Sequence, residues 1–96
     1  MENEIFFADS FLRDGRKISK PAAQKLAKLI ALLRYDPFDL RLHTESLGSP
    51  LDGIYAFRIT RGWRVGFYFI ASHKIRLLAV DDRGQIYERL RRLLGR

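Results

Sequence analysis

The sequence predicts an α+β fold: an N-terminal strand and two helices packed on an antiparallel-rich, curved sheet, with a C-terminal helix closing the chain. Three patterns carry that prediction. Between Ile54 and Val80 bulky apolar residues recur at every second position over three successive runs, the period of half-buried strands. Residues 19–36 and 84–96 instead repeat their apolar residues at helical spacing. No repeat, linker or low-complexity tract interrupts the 96 residues, so residues 1–96 form one domain.

Ile5-Phe6-Phe7 suits a brief strand, and Ala8 to Arg16 a short helix with Asp9 or Ser10 as its cap and Gly15 as its terminator. A longer helix starts at Ser19 and Pro21. It carries Leu26, Leu29, Ile30 and Leu33 on one stripe and stops at Asp36-Pro37. Lys20, Lys25, Lys28 and Arg34 decorate its flanks. Residues 38–53, with Gly48, Pro50 and Gly53, read as an irregular connection long enough to be functional.

Three strands follow, turning at Arg61-Gly62 and Ser72-His73. Their odd positions are Tyr55, Phe57, Ile59; Trp63, Val65, Phe67, Phe69; and Ile75, Leu77, Ala79. Arg58, Arg64, Gly66, Tyr68, Lys74 and Arg76 hold even ones. This alternation implies an antiparallel sheet with one buried face, and puts Arg58 and Arg64 on the opposite, exposed face as an anion-binding surface. From about Gly84, Ile86, Leu90, Leu93 and Leu94 form the stripe of a last helix ringed by Arg89, Arg91, Arg92 and Arg96.

Eighteen Lys and Arg against 11 Asp and Glu leave a net charge of +7. That excess favours a polyanionic partner, nucleic acid or an acidic protein. The absence of cysteine excludes disulfide scaffolds, thiolate zinc sites and thiol nucleophiles. His43 and His73 lie thirty positions apart, so no metal and no cofactor are expected. No apolar run approaches a membrane span, and the acidic Met1-Glu2-Asn3-Glu4 start argues against a signal peptide; the expectation is a cytoplasmic protein without a membrane partner.

The segment ESLGSPLDGIYAFRITRGWRVGFYF resembles the RelE/ParE superfamily of toxins from type II toxin–antitoxin systems. Those proteins share an L-x-x-x-L-x-G-x-aromatic-x-x-R-I block followed by aromatic-R-(V/L) on the next strand. Here the block is Leu47, Leu51, Gly53, Tyr55, Arg58 and Ile59, then Trp63, Arg64 and Val65. The element order agrees over nearly the whole chain, which implies the RelE-like microbial ribonuclease fold.

The resemblance further implies a metal-independent endoribonuclease, an mRNA interferase. The ribose 2′-hydroxyl attacks the adjacent phosphate of mRNA, in the ribosomal decoding site, and leaves a 2′,3′-cyclic phosphate. That chemistry needs a base, a cation for the developing charge and an acid for the leaving oxygen. By alignment with the YoeB branch, gapless from Glu45 through Arg64, Glu45 is the base and Arg64 the transition-state cation. The RelE branch uses two lysines where Ile54 and Ala56 stand, so that variant does not apply. Arg58, Arg61, Arg83 and His43 are the candidates for phosphate or RNA contact.

The acid stays open. Relatives carry a His-Arg-x-x-(Ile/Val)-Tyr run that here reads Asp82-Arg83-Gly84-Gln85-Ile86-Tyr87, with aspartate in place of histidine. Aspartate is mostly ionised at pH 7. Tyr87 can donate a proton or stack on a base, and His43 belongs to the residue type that titrates near neutrality. Plainer roles compete: Asp81 and Asp82 as helix caps, Tyr87 as packing under the sheet, Arg58 as half of an ion pair. Two other functions also stay open, a ParE-type toxin that blocks DNA gyrase by binding and a degenerate relative that only binds its antitoxin. All three imply an acidic antitoxin as partner.

Overall fold

A computed structural model describes residues 2–96; Met1, the first residue of the acidic start, lies outside them. The chain runs β1 (Glu4–Phe7), α1 (Asp9–Gly15), α2 (Lys20–Tyr35), a 3₁₀ turn (Leu40–Leu42), β2 (Glu45–Ser46), β3 (Ile54–Arg58), β4 (Trp63–Ala71), β5 (Lys74–Asp82) and α3 (Ile86–Leu94). The sheet order is β1-β5-β4-β3-β2, with β1 parallel to β5 and every other pairing antiparallel. Glu45 therefore belongs to a short strand, where the sequence suggested only an irregular connection.

Ser19 caps α2 as expected, its Oγ accepting from the Ala22 amide at 3.2 Å, and the helix ends at Asp36. The cap of α1 differs from the expectation. Ala8 holds that position without a side-chain bond, while Ser10 and Asp14 are buried against β5. β1 ends at Phe7, so the outer edge of β5 has no strand beside it beyond Leu77. Ser10 Oγ donates to the Leu78 carbonyl, and the Asp14 carboxylate accepts from the Val80 amide at 2.9 Å. Two polar side chains of α1 thus satisfy an exposed sheet edge that a longer strand would otherwise cover.

The main core fills the odd face. Phe57, Ile59, Val65, Phe67, Ile75, Leu77 and Val80 meet Phe11 from α1, Leu26, Leu29 and Leu33 from α2, and Leu42. Burial of each such side chain is worth roughly 1.5–3 kcal/mol.

The expected single buried face is corrected: both faces are covered. Leu51, Ile54, Leu78, Ala79, Ile86 and Leu90 form a second core under α3. Its floor is a row of small residues, because Ala56 pairs with Gly66 and Gly66 with Ala79. A Cβ on Gly66 would lie 2.6 Å from a Leu90 methyl carbon, so only glycine admits α3 at this depth. A bulge at Leu78 shifts the register between Gly66 and Phe67. It moves Ala79 off the odd face where the alternation placed it, and Val80 takes its place. Leu93, expected on the buried stripe of α3, is exposed.

Candidate nucleic-acid interface

The tip of the β3–β4 hairpin collects most of the residues singled out in the sequence. Arg58, the last residue of β3, pairs across the ladder with Arg64 on β4, on the face that α3 covers further along. Glu45 on β2 pairs with Ala56, two residues before Arg58 and on that same face. The Arg83 amide donates to the Gly62 carbonyl at 2.9 Å, which brings the β5–α3 turn against the hairpin tip.

Arg64 departs from the exposed position expected for it, with only 9% of its surface accessible. Its guanidinium folds back over the turn, Nη1 donating to the Thr60 carbonyl at 3.1 Å and the Arg61 carbonyl at 2.8 Å. Burial, and then the nearby positive charges of Arg58 and Arg83, lower its pKa below the ordinary arginine value, while Glu45 opposes the shift. Arginine remains protonated at any working pH, so the shift records a buried charge first and, after that, repulsion from Arg58 and Arg83 that an anion would relieve.

Arg58, Arg61 and Arg83 are exposed. Among the described residues, none of the four arginines 58, 61, 64 and 83 has a carboxylate within ion-pair distance, and Glu45 is likewise unpaired. On the outer side of β3, Lys25, Arg41, His43, Arg58, Thr60 and Arg61 surround a recess of ≈ 180 Å³. His43 enters it from a left-handed backbone conformation, φ 51°, at the end of the 3₁₀ turn. Arg41 is already neutralised: it bonds Asp39 at 2.9 Å, and that hydrogen bond holds the Asp39 carboxyl down at about 2.

Sequence reasoning missed Lys25 and Arg41 as members of this recess. Lys25 was legible in the helical phase, since it sits one turn before the buried Leu29 and so on the rim of the packed stripe. The arrangement is suited to anions: several uncompensated cations around one free carboxylate fit a phosphodiester better than a metal. Among the described residues no three His, Asp or Glu side chains converge on a metal-sized site.

Two candidates for the acid are held elsewhere. Asp82 pairs with Trp63 across the ladder, so the pleat turns it away from Arg64, and its carboxylate accepts from the Gly84 amide at 2.8 Å. Tyr87 packs on the second core and donates its hydroxyl to the Ser49 carbonyl at 3.1 Å. Capping is also corrected. Gln85 precedes α3 without a side-chain bond, and Asp81 bonds Arg89 at 3.1 Å. Arg89 also reaches Asp14 at 2.8 Å, tying α3 to α1 around the edge of β5.

Comparison with solved structures settles the architecture. The RelBE2 toxin–antitoxin complex from Mycobacterium tuberculosis matches with a TM-score of 0.72 at 21% identity, over 86% of this chain and 100% of that one. The chain has the RelE-like toxin fold. YafQ from E. coli matches at a TM-score of 0.73 and 17% identity, over 90% of this chain and 99% of that one. A YoeB/ParE toxin from Agrobacterium tumefaciens matches at 0.73 and 18%, over 83% and 98%. No family model and no curated protein matches the sequence itself. The hairpin tip and its arginines are therefore read within a RelE-like fold whose sequence is only 17–21% identical to those structures.

Proposed function

We propose that this chain is the toxin of a type II toxin–antitoxin pair and that it cleaves messenger RNA at the β3–β4 tip without a metal. One observation carries the reading: four arginines without carboxylate partners among the described residues converge on the end of the sheet where Glu45, likewise unpaired among them, stands on the same face as Arg58 and Arg64.

In this reading Arg58, Arg61 and Arg83 hold the RNA phosphates, and Arg64, fixed by the turn carbonyls, faces the scissile one. Glu45 takes the proton of the ribose 2′-hydroxyl. The 2′-oxygen then attacks phosphorus, the bond to the 5′-oxygen breaks, and the products are a 2′,3′-cyclic phosphate and a 5′-hydroxyl. The added charge on the non-bridging oxygens falls to the arginines. We assign the proton for the leaving oxygen to His43, which lines the arginine recess. Tyr87 and Asp82 are engaged by Ser49 and Gly84.

The neighbouring RelBE2 structure is a toxin–antitoxin complex. The net charge of +7 and the exposed Tyr35, Phe38, Leu40 and Ile70 support an acidic, amphipathic antitoxin as the partner of this chain too. The same charge supports docking on the ribosome.

The test incubates the purified chain in EDTA with end-labelled messenger RNA, free and on programmed ribosomes. Cyclic-phosphate ends are expected, and Glu45→Gln should slow their appearance about 10²–10⁴-fold. A wild-type rate in Glu45→Gln would remove the base.

A further inference from the structure

Trp63 and Arg64 are consecutive on β4 and so face opposite sides of the sheet. Arg64 turns to the side of Arg58 and Glu45. Trp63 turns towards α2, where it walls a second hollow of ≈ 470 Å³ with Lys17, Ile18, Pro21, Lys25 and Thr60. The indole keeps 37% of its surface exposed and belongs to neither core, although it is the bulkiest side chain in the molecule. Ile18 and Pro21 give the hollow an apolar wall, and Lys17 and Lys25 give it two cations. Lys25 and Thr60 line this hollow and the arginine recess alike. The two thus adjoin each other at the hairpin tip.

We propose that the hollow holds the base of the RNA nucleotide next to the one being cleaved, stacked on the face of Trp63, with Lys17 and Lys25 on the flanking phosphates. The inference rests on the ribonuclease reading and adds to it a binding position on the other side of the hairpin. A flat aromatic ring beside two cations, next to a cationic recess, matches the alternation of base and phosphate along a single strand. An acidic peptide would complement the lysines but leaves the flat ring without a counterpart. Because every base has a face to stack, Trp63 contributes affinity and register rather than sequence preference.

Trp63 is the single tryptophan of the chain, so its emission reports this hollow and the smaller recess on its other side, where Asp14 and Asp81 are already held by Arg89. The probe is a hexanucleotide with 2′-O-methyl on every ribose, which cannot be cleaved. Anisotropy of a labelled copy reports binding anywhere on the chain, and tryptophan emission with an unlabelled copy reports Trp63. Quenching should saturate at the same midpoint as anisotropy. Trp63→Ala should weaken binding roughly 5- to 100-fold, with Trp63→Tyr recovering most of it. Removing the flanking base from the RNA should weaken binding to the wild type by a similar factor and to Trp63→Ala hardly at all. Binding without quenching, and unchanged in Trp63→Ala, would overturn the proposal and leave the ribonuclease reading standing. So would quenching by an acidic amphipathic peptide where RNA gives none, which would make the hollow a protein surface. Absence of RNA binding by either readout would overturn both.

Discussion

Arg58 and Arg64 sit directly opposite each other across the β3–β4 ladder, and neither meets a carboxylate among the described residues. Like charges at facing ladder positions destabilise a hairpin. The two residues divide the consequence. Arg64 is buried and spends Nη1 on the Thr60 and Arg61 carbonyls, whereas Arg58 stays exposed. One builds the tip and the other is presented by it.

That division predicts different losses. Arg64→Ala should cost about 1–2 kcal/mol of stability, seen as a lower melting temperature, because two turn carbonyls lose a charged donor. Arg64→Lys should fall between, since one ammonium cannot reproduce the planar fork. Arg58→Ala should leave the melting temperature near wild type while weakening RNA binding. Equal melting losses in Arg58→Ala and Arg64→Ala would contradict this division.

Salt dependence separates free cations from neutralised ones. Replacing Arg58, Arg61 or Arg83 with alanine should each lower the slope of log affinity against log salt for single-stranded RNA by about 0.7. Arg41→Ala should change it less, because Asp39 already holds Arg41 at 2.9 Å. The hydrogen bond from Arg41 depresses the Asp39 carboxyl to about 2, so the pair stays ionised as pH falls and breaks only near that value. The contrast between Arg41 and Arg58 should therefore persist at pH 5, measured by titrating RNA at several salt concentrations.

The seat of α3 gives a third prediction. Gly66→Ala should destabilise by about 1–3 kcal/mol, since its Cβ meets buried Leu90 carbons at 2.6 and 2.7 Å. Leu90→Ala alone should cost about 2–5 kcal/mol. The double variant should lose less than the sum, because the methyl added at Gly66 enters the space that Leu90 vacates. Denaturant melts of the three variants check this, and additive losses would place the clash elsewhere.

Legibility in the sequence followed the strength of each local pattern. The stripe Leu26, Leu29, Leu33 with Ser19 and Asp36 at its ends fixed α2 almost to the residue. Phe57, Val65, Phe67 and Leu77 announced the odd face of the sheet by plain alternation. The second core did not announce itself, because Ala56, Gly66 and Ala79 are too small to look like a buried face until α3 lies on them. The Leu78 bulge was hidden too, since an extra apolar residue inside an apolar strand breaks no visible pattern. At the site, the residues around the hairpin were legible from their motif, but the fate of Arg64 was not: alternation gives the side of the sheet, not whether a long side chain folds back onto the turn. Tyr87 and Asp82 were named as candidate acids because sequence shows residue type and not the partner that already holds each group.

Assigning proton donation to His43 predicts a loss on substitution. A positioned acid contributes about 10²–10⁴-fold to such a step, so His43→Gln should slow cleavage within that range. A wild-type cleavage rate in His43→Gln would return the role to another group.

The most direct measurement is primer extension on a translated reporter transcript after brief induction of the chain, wild type beside Glu45→Gln and Arg58→Ala. We expect discrete cuts inside codons for the wild type, none for Glu45→Gln, and strongly reduced cutting for Arg58→Ala. Growth arrest with an intact transcript would contradict the account and make this RelE-like chain a toxin that acts by binding.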